Sequence, residues 1–415
     1  MRSKSDKKKP LVPSLRFPEF REAGAWEVKR LGELASRITG RVGSKKLIPI
    51  SISSGVGFVS QAEKFGRDIS GKQYEKYIAL ERGQFSYNKG NSKTFPQGSI
   101  YQLQEFEDAA VPNAFYSFEF KKKYVPEFYN GYFEKNFHGH QLARFITSGA
   151  RSDGLLNISA ADFFSIVLPT PTNRDEQQKI AHCLSSLDEV IGLQAKKVQA
   201  LKQHKKSLMQ QLFPAEGETT PRLRFPEFRE AGAWEVKRLG EVANISMGAS
   251  PKSASYNDQR IGLPLIQGNA DIKDRKSSPR LFASQITREC WVGDILVGVR
   301  APVGMVAKSE HHACIGRGIS ALCVKGEDRQ EFLYQWLLWY EPHWVSISQG
   351  GTFDSVNKNE ITNLVALFPN PSEQQKIAHC LSSLDEVIGL ESHKLDTLKN
   401  LKKGLMQQLF PQEVA

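Results

Sequence analysis

The sequence predicts a mixed α/β (α+β) protein made of two similar halves that are separated by two long antiparallel coiled-coil helices. Residues 176–193 return letter for letter as residues 373–390, and residues 15–33 return unchanged as residues 223–241. Repeats of this length indicate a duplicated architecture. Within the first pair of repeats, apolar residues recur in alternating steps of four and three, which is the pattern of a coiled-coil seam.

The heptad pattern predicts two helices whose apolar faces pack against each other. The apolar seam positions are Ile180, Leu184, Leu187, Ile191, Val198 and Leu201 in the first copy, and Ile377, Leu381, Leu384, Ile388, Leu395 and Leu398 in the second. Polar residues also fall on the seam, at Gln194 and Lys205 and at their counterparts Glu391 and Lys402. Polar seam residues more often fix the register of a coiled coil than add stability.

Start and stop signals give the two helices the same length. Capping-box spacing places the first turns at Asp175 and Ser372, and Pro214 and Pro411 mark the ends. Each helix then has about 39 residues and a length of about 57 Å. Because each buried Leu or Ile is worth about 1.5 to 3 kcal/mol, the seam needs a partner, and the other copy is the obvious one. The alternative is that each helix packs on its own domain.

Connectivity predicts how the halves are arranged. The second half starts soon after Pro214, so its body lies at the C-terminal end of the first helix. Domain termini usually lie close together, so the second helix starts there too and runs back antiparallel. We therefore expect a pseudo-two-fold, circular arrangement with the bodies held apart by a rod of about 57 Å, or about one and a half turns of B-DNA.

The predicted domains follow from these repeats. They are a disordered basic tail (1–14), a first domain (15–168), a first helix (169–214), a linker (215–222), a second domain (223–369) and a second helix (370–411). RGQFSYNKG at Arg82 lines up with VGDILVGVR at Val292, and glycine-rich loops begin at Ser148 and Ser348. Equal frames with different loops predict two related but unequal binding surfaces.

Composition indicates an acidic partner and a reducing compartment. Lys and Arg outnumber Asp and Glu by 56 to 45, which leaves a net charge of +11. An excess of this size is typical of proteins that bind a polyanion. The 5 cysteines contain no CxxC motif, which argues against a disulfide framework or a zinc ribbon. Without a signal peptide or an apolar membrane span, the protein is expected to be cytoplasmic.

The search for catalytic motifs finds no centre. HExxH, G-x-S-x-G, metal-spaced Cys/His clusters and the NPPY or DPPY core of amino-methyltransferases are all missing. A Walker-like stretch at residues 66–72 is followed by Gln73, which lacks the hydroxyl that holds magnesium. The sequence therefore offers no complete motif for a catalytic, metal or nucleotide site.

The remaining interpretation is DNA recognition by the loops of the two bodies. Arg and Lys read guanine, Asn and Gln read adenine, and further basic residues contact phosphates. The candidate DNA-binding residues are Lys89, Asn91, Lys93 and Arg151 in the first body, and Lys252, Arg300, Arg317 and Asn357 in the second. For each of them, an ordinary solvated side chain is the alternative.

The duplicated EQQKIAHCLSSLDEVIGL helices and the paired RFPEF...WE.KRLGE segments resemble the specificity subunit of Type I restriction-modification enzymes. The resemblance spans about residues 15–411. It implies that each body is a target recognition domain reading one half of an asymmetric bipartite DNA target, with a gap set by the helices. It also implies that the chain itself is not an enzyme and has no metal site or cofactor of its own. Instead, the chain docks two methyltransferase subunits, which bind S-adenosylmethionine, and through them restriction/translocase subunits that use ATP and Mg.

Three alternatives remain at this point. A coiled-coil adaptor that does not bind DNA would show salt-insensitive binding to a protein partner and no footprint. A cryptic nuclease or methyltransferase fusion would show cutting or cofactor turnover by the pure chain. The third is the specificity chain of a related methyltransferase system that has no motor subunit.

Overall fold

Two compact units make up the chain, and each combines one body with parts of both long helices. The structure is a computed structural model that describes residues 10–90, 95–146, 155–344 and 355–411. The first unit contains residues 1–194 and 394–415, and the second contains residues 195–393. Each long helix therefore begins in one unit and ends in the other.

The first body is built from short strands and short helices. Its strands are β1 (Glu27–Arg30), β2 (Ala35–Arg37), β3 (Ile50–Ser53), β4 (Gly57–Ser60), β5 (Ile78–Glu81), β6 (Phe85–Asn88), β7 (Ser99–Gln102), β8 (Asp108–Val111), β9 (Tyr116–Phe120) and β10 (Val167–Thr170). Its α-helices are α1 (Leu31–Leu34), α2 (Gln61–Phe65), α3 (Pro126–Glu134), α4 (Phe137–Leu142) and α5 (Ala160–Phe164), and α6 (Arg174–Leu212) is the first long helix.

The second body has more and shorter strands. They are β11 (Glu235–Arg238), β12 (Ala243–Met247), β13 (Tyr256–Asn257), β14 (Leu263–Ile266), β15 (Ile272–Lys273), β16 (Lys276–Ser277), β17 (Leu281–Ala283), β18 (Glu289–Cys290), β19 (Ile295–Gly298), β20 (Val306–Lys308), β21 (Ala313–Ile315), β22 (Ile319–Val324) and β23 (Val365–Phe368). Its α-helices are α7 (Leu239–Val242), α8 (Gln330–Tyr340) and α9 (Lys358–Asn363), and α10 (Pro371–Leu409) is the second long helix.

Each body contains a core sheet of the same topology, although the sequences of the two bodies differ. Its strand order is β2-β9-β6-β7 in the first body and β12-β22-β19-β20 in the second, where β16 and β15 extend it. The turn glycines predicted before β6 and β19 are present as Gly83 and Gly293, with φ of 89° and 92°. Glycine is favoured at such positive φ values because it has no Cβ. The second body adds a separate sheet of order β13-β17-β14-β21-β18.

Both long helices start earlier than the capping-box pattern predicts. The side chain of Asn370 accepts a hydrogen bond from the backbone of Glu373 at 3.0 Å. In the first copy, Asn173 accepts from the backbone of Asp175 at 2.8 Å. The predicted caps at Asp175 and Ser372 are therefore wrong, because an upstream asparagine supplies the acceptor in each copy. Both helices end just before the predicted prolines.

The predicted seam residues are all buried or half-buried. The first turns of each helix pack on the body that precedes it. Ile180 and Leu184 belong to the apolar core of the first body, and Ile377 and Leu381 belong to that of the second. Packing of each helix on its own domain, which we weighed as an alternative, thus occurs over these turns.

Each body core also takes up the end of the other long helix. The ring of Phe410 lies 6.5 Å from that of Trp26 in the first unit, and Phe213 lies 6.4 Å from Trp234 in the second. Gly131 makes room for this contact, since a Cβ there would lie 2.4 Å from the Phe410 ring. Each core is therefore completed only when the other helix has docked.

Reciprocal ion pairs join the two helices. Lys205 near the end of α6 binds Asp385 near the start of α10, with Nζ to oxygen distances of 2.6 and 2.7 Å. The counterpart of Lys205 in the repeat is Lys402, which binds Asp188 at 2.6 Å and Glu134 at 2.7 Å. Pairing of end with start means that the helices run antiparallel. The predicted fold class, two mixed α/β bodies linked by two long helices that pack together, is confirmed.

The pKa values of Lys205 and Lys402 shift in opposite directions. Burial lowers the pKa of Lys205, although its hydrogen bond to Asp385 opposes the shift. For Lys402, burial acts in the same direction, but the carboxylates of Glu134 and Asp188 outweigh it and raise the pKa. The second carboxylate beside Lys402 accounts for the difference.

A pair of leucines on α10 tests how much packing of the helix start on the second body stabilises the chain. Leu381 is fully buried, whereas Leu390 on the same helix is 72% exposed. We expect Leu381→Asp to lower the free energy of unfolding by at least about 3 kcal/mol, because it buries an unpaired charge and removes apolar packing. Leu390→Asp, the control, should leave that free energy almost unchanged. Urea unfolding of both variants measures the difference, and equal stabilities would contradict this packing.

The repeated segments 15–33 and 223–241, called lead segments below, are anchored to the first turn of a long helix. The guanidinium of Arg16 binds the buried carboxylate of Glu176 through two hydrogen bonds of 2.7 Å, and the Trp26 indole donates to it at 3.2 Å. Arg224 binds Glu373 in the same bidentate way, also at 2.7 Å. Bidentate Arg–carboxylate pairs combine strength with a defined geometry. The lead segment therefore holds each helix start against its body.

A buried histidine makes the stability of the first unit depend on pH. His138 is completely buried, and burial lowers its pKa from 6.5 to about 4. Its Nε2 lies 3.2 Å from the carbonyl oxygen of Gly98, so the neutral ring donates one hydrogen bond there. Between pH 6.5 and pH 4 the unfolded chain binds a proton that the folded chain does not. The stabilisation is complete above pH 6.5 and is lost as the pH falls toward 4.

We expect this histidine to remove about 2 kcal/mol from the free energy of unfolding between pH 7.5 and pH 5. His138→Gln should abolish that part of the pH dependence, since glutamine does not titrate. His140 is exposed on the same helix, and His140→Gln serves as the control that keeps the dependence. Urea unfolding at the two pH values distinguishes the variants. The same pH slope in His138→Gln as in the native chain would contradict the assignment.

Candidate DNA interface

Three arginines converge on an open cleft in the second unit. The cleft has a volume of about 880 Å³ and is lined by Arg280, Arg300 and Arg317. These arginines precede β17, follow β19 and follow β21, respectively. Among the described residues that line the cleft, Asp271 is the one acidic residue. The cleft thus carries the positive charge that a nucleic-acid surface needs.

The loop that carries Arg300 is tied to the segment before α9. Arg300 and Ser355 form an isolated antiparallel bridge, and the backbone of Val356 donates to Val299 at 3.0 Å. The first unit has the same arrangement, with a bridge between Gly90 and Leu155. The segments RGQFSYNKG and VGDILVGVR, which line up in the sequence, therefore occupy equivalent positions in the two bodies.

Glycines bring the Arg317 loop close to its neighbours. Arg317 lies between Gly316 and Gly318, and a Cβ on Gly318 would lie 2.3 Å from the backbone oxygen of Gln267. The backbone N–H of Arg317 donates to the Ser250 hydroxyl at 3.2 Å, and its Nε donates to the same oxygen at 3.4 Å. The Gly-Arg-Gly sequence, a fragment of a dinucleotide-binding pattern, is explained here by close backbone packing.

Arg280 is held from behind by a buried carboxylate. Its Nε donates to Oδ1 of Asp271 at 3.0 Å. The Asp271 side chain is 5% exposed, whereas that of Arg280 is 68% exposed. The second Asp271 oxygen accepts from the backbone of Gln267 at 2.9 Å. The carboxylate is thus fixed in the protein, while most of the Arg280 side chain is exposed at the cleft.

A basic and aromatic cluster occupies the corresponding side of the first unit. The Nζ of Lys89 lies 4.7 Å from the centre of the Tyr116 ring, and the guanidinium of Arg37 lies 5.4 Å from it. Cation–π contacts of this kind are worth about 0.5 to 1 kcal/mol at exposed sites. The Tyr116 hydroxyl donates to the carbonyl of Ile158 at 2.8 Å, which fixes the ring.

The structure places the predicted DNA-binding residues as follows. Lys89 lies beside Tyr116, and Arg300 and Arg317 line the cleft. Lys252 is exposed and lies between the cleft residues Pro251 and Ser253. Asn91, Lys93 and Arg151 lie outside the described residues.

Asn357 has a structural contact that the sequence analysis did not predict. It is the N-cap of α9: its side chain accepts from the backbone of Glu360 at 3.1 Å, and its own N–H donates to the Glu360 carboxylate at 2.7 Å. Sequence reasoning also missed Arg37 and Arg280. No sequence signal marks them, since both lie in ordinary polar stretches and no local spacing rule connects Arg37 with Tyr116 or Arg280 with Asp271.

Metal-ligating side chains and one repeated cysteine bear on the motifs that the sequence search considered. Over the described ranges, no group of three His, Cys, Asp or Glu residues is placed to hold a metal ion. Burial raises the pKa of the Cys380 thiol in the repeated Ala-His-Cys motif, which makes it a weaker nucleophile. Within the same ranges, no helix is long and apolar enough to cross a membrane.

Comparison with known proteins identifies the family. The Type I restriction modification DNA specificity domain matches residues 24–203 and residues 232–400, which is most of the chain. The chain belongs to this family. It is a Type I restriction-modification DNA specificity subunit, the non-catalytic part of the complex, and members of this family bind no cofactor themselves.

Two specificity subunits from one organism align with different fractions of this chain. The MjaVIII specificity subunit of Methanocaldococcus jannaschii is 21% identical over 416 residues, which cover 95% of this chain and 93% of the relative. The MjaX specificity subunit of the same organism is 28% identical over 295 residues, which cover 70% of this chain and 68% of the relative. The similarity therefore includes both halves.

Solved structures share the fold. The crystal structure of the Type I restriction-modification S subunit from M. genitalium superimposes with a TM-score of 0.62 at 16% identity, covering 97% of this chain and all of that one. A chain from a structural study of complex assembly and conformational transition in a type I R-M system gives a TM-score of 0.56 at 22% identity, covering 94% of this chain and 98% of that one. These similarities show a shared fold, with two mixed α/β bodies and two long helices.

Proposed function

We propose that this specificity subunit reads an asymmetric bipartite DNA target, with one half-site read by each unit. The proposal rests on one observation: the core sheets of the two bodies are alike, but the basic side chains that they present differ. The two bodies share a core sheet of the same strand order, yet one presents Lys89 and Arg37 around Tyr116 and the other presents a cleft with three arginines. Different base-facing groups on equal frames select different sequences.

The second part of the proposal is that two identical methyltransferase subunits dock on the repeated surfaces. Large apolar residues are exposed at matching positions of both copies of the repeats, where a folded monomer gains nothing from them. These residues are Leu15 and Leu223, Val28 and Val236, Val190 and Val387, and Leu193 and Leu390. Because both members of each pair are identical, one kind of partner fits both copies.

The cofactors of the reaction belong to the partners in this proposal. S-adenosylmethionine binds the methyltransferase subunits, and ATP and Mg bind restriction/translocase subunits that join through them. The proposal places the complex in the cytoplasm, with DNA as the ligand that this chain and its partners share. The basic charge of the chain supports the DNA contact, since neutralising phosphates releases counterions.

A map of methylated adenines tests the proposal. Genomic DNA is sequenced from cells that carry this chain with its methyltransferase, and from cells that lack only this chain. We expect one bipartite motif to disappear on deletion, since the methyltransferase then has no target recognition. An unchanged methylation pattern would overturn the proposal and favour the adaptor alternative.

A further inference from the structure

The geometry points to Arg280 as a guanine-reading residue of the second half-site, with Asp271 as the residue that positions it. This inference rests on the proposed function of the second unit. The three arginines of the cleft differ in their partners. A buried carboxylate holds the guanidinium of Arg280, whereas Arg300 and Arg317 have no carboxylate partner among the described residues.

The first step of the argument is orientation. Reading guanine takes two parallel hydrogen bonds from an arginine to O6 and N7, so the plane of the guanidinium has to be set in advance. A free arginine side chain carries about 2 kcal/mol of rotamer entropy. The 3.0 Å bond from Nε to Asp271 removes much of that freedom before DNA arrives. No hydrogen bond within the described ranges uses the two terminal nitrogens of Arg280, which leaves them for the base.

The second step is charge. A phosphate contact gains from a full positive charge, and a carboxylate 3.0 Å away weakens that attraction. The edge of guanine is a neutral pair of acceptors, for which donor direction matters more than net charge. Arg280 with Asp271 therefore suits a base. Arg300 and Arg317, which have no ion pair among the described residues, suit phosphates.

The third step is the anchor. Asp271 is 96% buried by residue and shares its oxygens between Arg280 and the backbone of Gln267. Its backbone also accepts from Ser278 at 2.7 Å, which ties it to the segment leading to Arg280. Arg280 itself adds little to folding, since an ion pair with an exposed partner is worth about 0 to 1 kcal/mol. A precise, buried support for an exposed arginine is thus better explained by recognition.

The experiment compares five variants of the full chain with its methyltransferase. Binding is measured to DNA duplexes carrying each base in turn at every position of the motif, at two salt concentrations, and the methylation motif is sequenced in cells. Arg280→Lys and Arg280→Ala are expected to lose a guanine preference of about 5- to 150-fold at one position of one half-site, with the other half-site unchanged. Arg300→Ala is expected to weaken binding to all sequences alike and to reduce the salt slope by about 0.9.

Asp271→Asn separates positioning from simple support of the fold. It removes the negative charge behind Arg280 but keeps a similar shape. We expect weaker guanine preference together with stronger binding to unrelated DNA, a combination that a merely unfolded cleft would not produce. Arg329→Ala is the control. The cleft residue Arg317 precedes strand β22, whereas Arg329 follows it and does not line the cleft, so removing its charge should leave the motif intact.

The outcomes distinguish the inference from the proposed function. If the native chain directs no motif, the proposed function fails. If it directs a motif in which Arg280→Lys and Arg280→Ala relax no guanine position, or in which they weaken all sequences equally, Arg280 is not a base reader and the inference is overturned.

Discussion

Removing one heptad from each long helix is expected to shorten the gap between the two half-sites by about three base pairs. Seven helical residues span about 10.5 Å, and each base pair adds about 3.4 Å along DNA. A change of three base pairs also turns one half-site about the DNA axis by about 105°, whereas one heptad turns the helix ends by only about 20°, so the bound DNA has to make up the difference by twisting or bending. Sequencing of methylated adenines in cells that carry the shortened chain reads the new gap directly.

The ion pairs determine where the heptads can be removed. Residues 194–200 lie between Asp188 and Lys205 on α6, and the equivalent residues 391–397 lie between Asp385 and Lys402 on α10. Deleting both stretches keeps the Lys205–Asp385 and Lys402–Asp188 pairs and the apolar cores of both units. Deleting only one stretch is the matched control. It should prevent both pairs from forming together and should abolish methylation. An unchanged gap in the double deletion would show that the helices do not act as a ruler.

Replacing the first body with a copy of the second is expected to give a target made of two copies of the second half-site. The exchange removes residues 34–166 and inserts residues 242–364. The junctions are matched, because the lead segments are identical and β10 and β23 pair with β1 and β11 in the same register. Each unit reads its own half-site in this scheme, so the half-site of the first body should disappear completely.

The inserted body should fold because the frame offers it the same contacts. In each unit a phenylalanine from the end of the other helix packs near the lead-segment tryptophan: Phe410 near Trp26 and Phe213 near Trp234. Methylation mapping gives the result, and the reverse exchange, with residues 34–166 in both places, is the control. It should yield two copies of the first half-site. A target that keeps both original halves after either exchange would contradict modular reading.

Much of the fold could be predicted because it is written in periodic patterns. The heptad steps predicted two helices and a buried face, and the turn glycines Gly83 and Gly293 predicted equivalent strands in unlike bodies. The helix starts were harder to predict. The pattern indicated residues 175 and 372 as the caps, but Asn173 and Asn370 supply the hydrogen-bond acceptors. Several acceptors near a helix start satisfy the same local rule, and the tertiary path of the chain selects one.

The candidate site was predicted less well. Arg300 and Arg317 could be named because loop arginines are typical DNA contacts, and both line the cleft. Arg280 could not be named, because what distinguishes it is a carboxylate supplied from another turn and buried by the fold. Asn357 shows the opposite case: its residue type suits base reading, and the structure uses its oxygen to cap a helix.

The sequence by itself determined the duplication, the two long helices, the basic charge and the lack of known catalytic motifs. All of these are properties of residue order, repetition and composition, which do not depend on contacts between distant residues. Only the tertiary structure decided which side chains meet: Lys205 with Asp385, Lys402 with Asp188, and Asp271 behind Arg280. The physical reason is that burial and pairing depend on how distant segments pack, and loops without a repeating pattern carry no local sign of that packing.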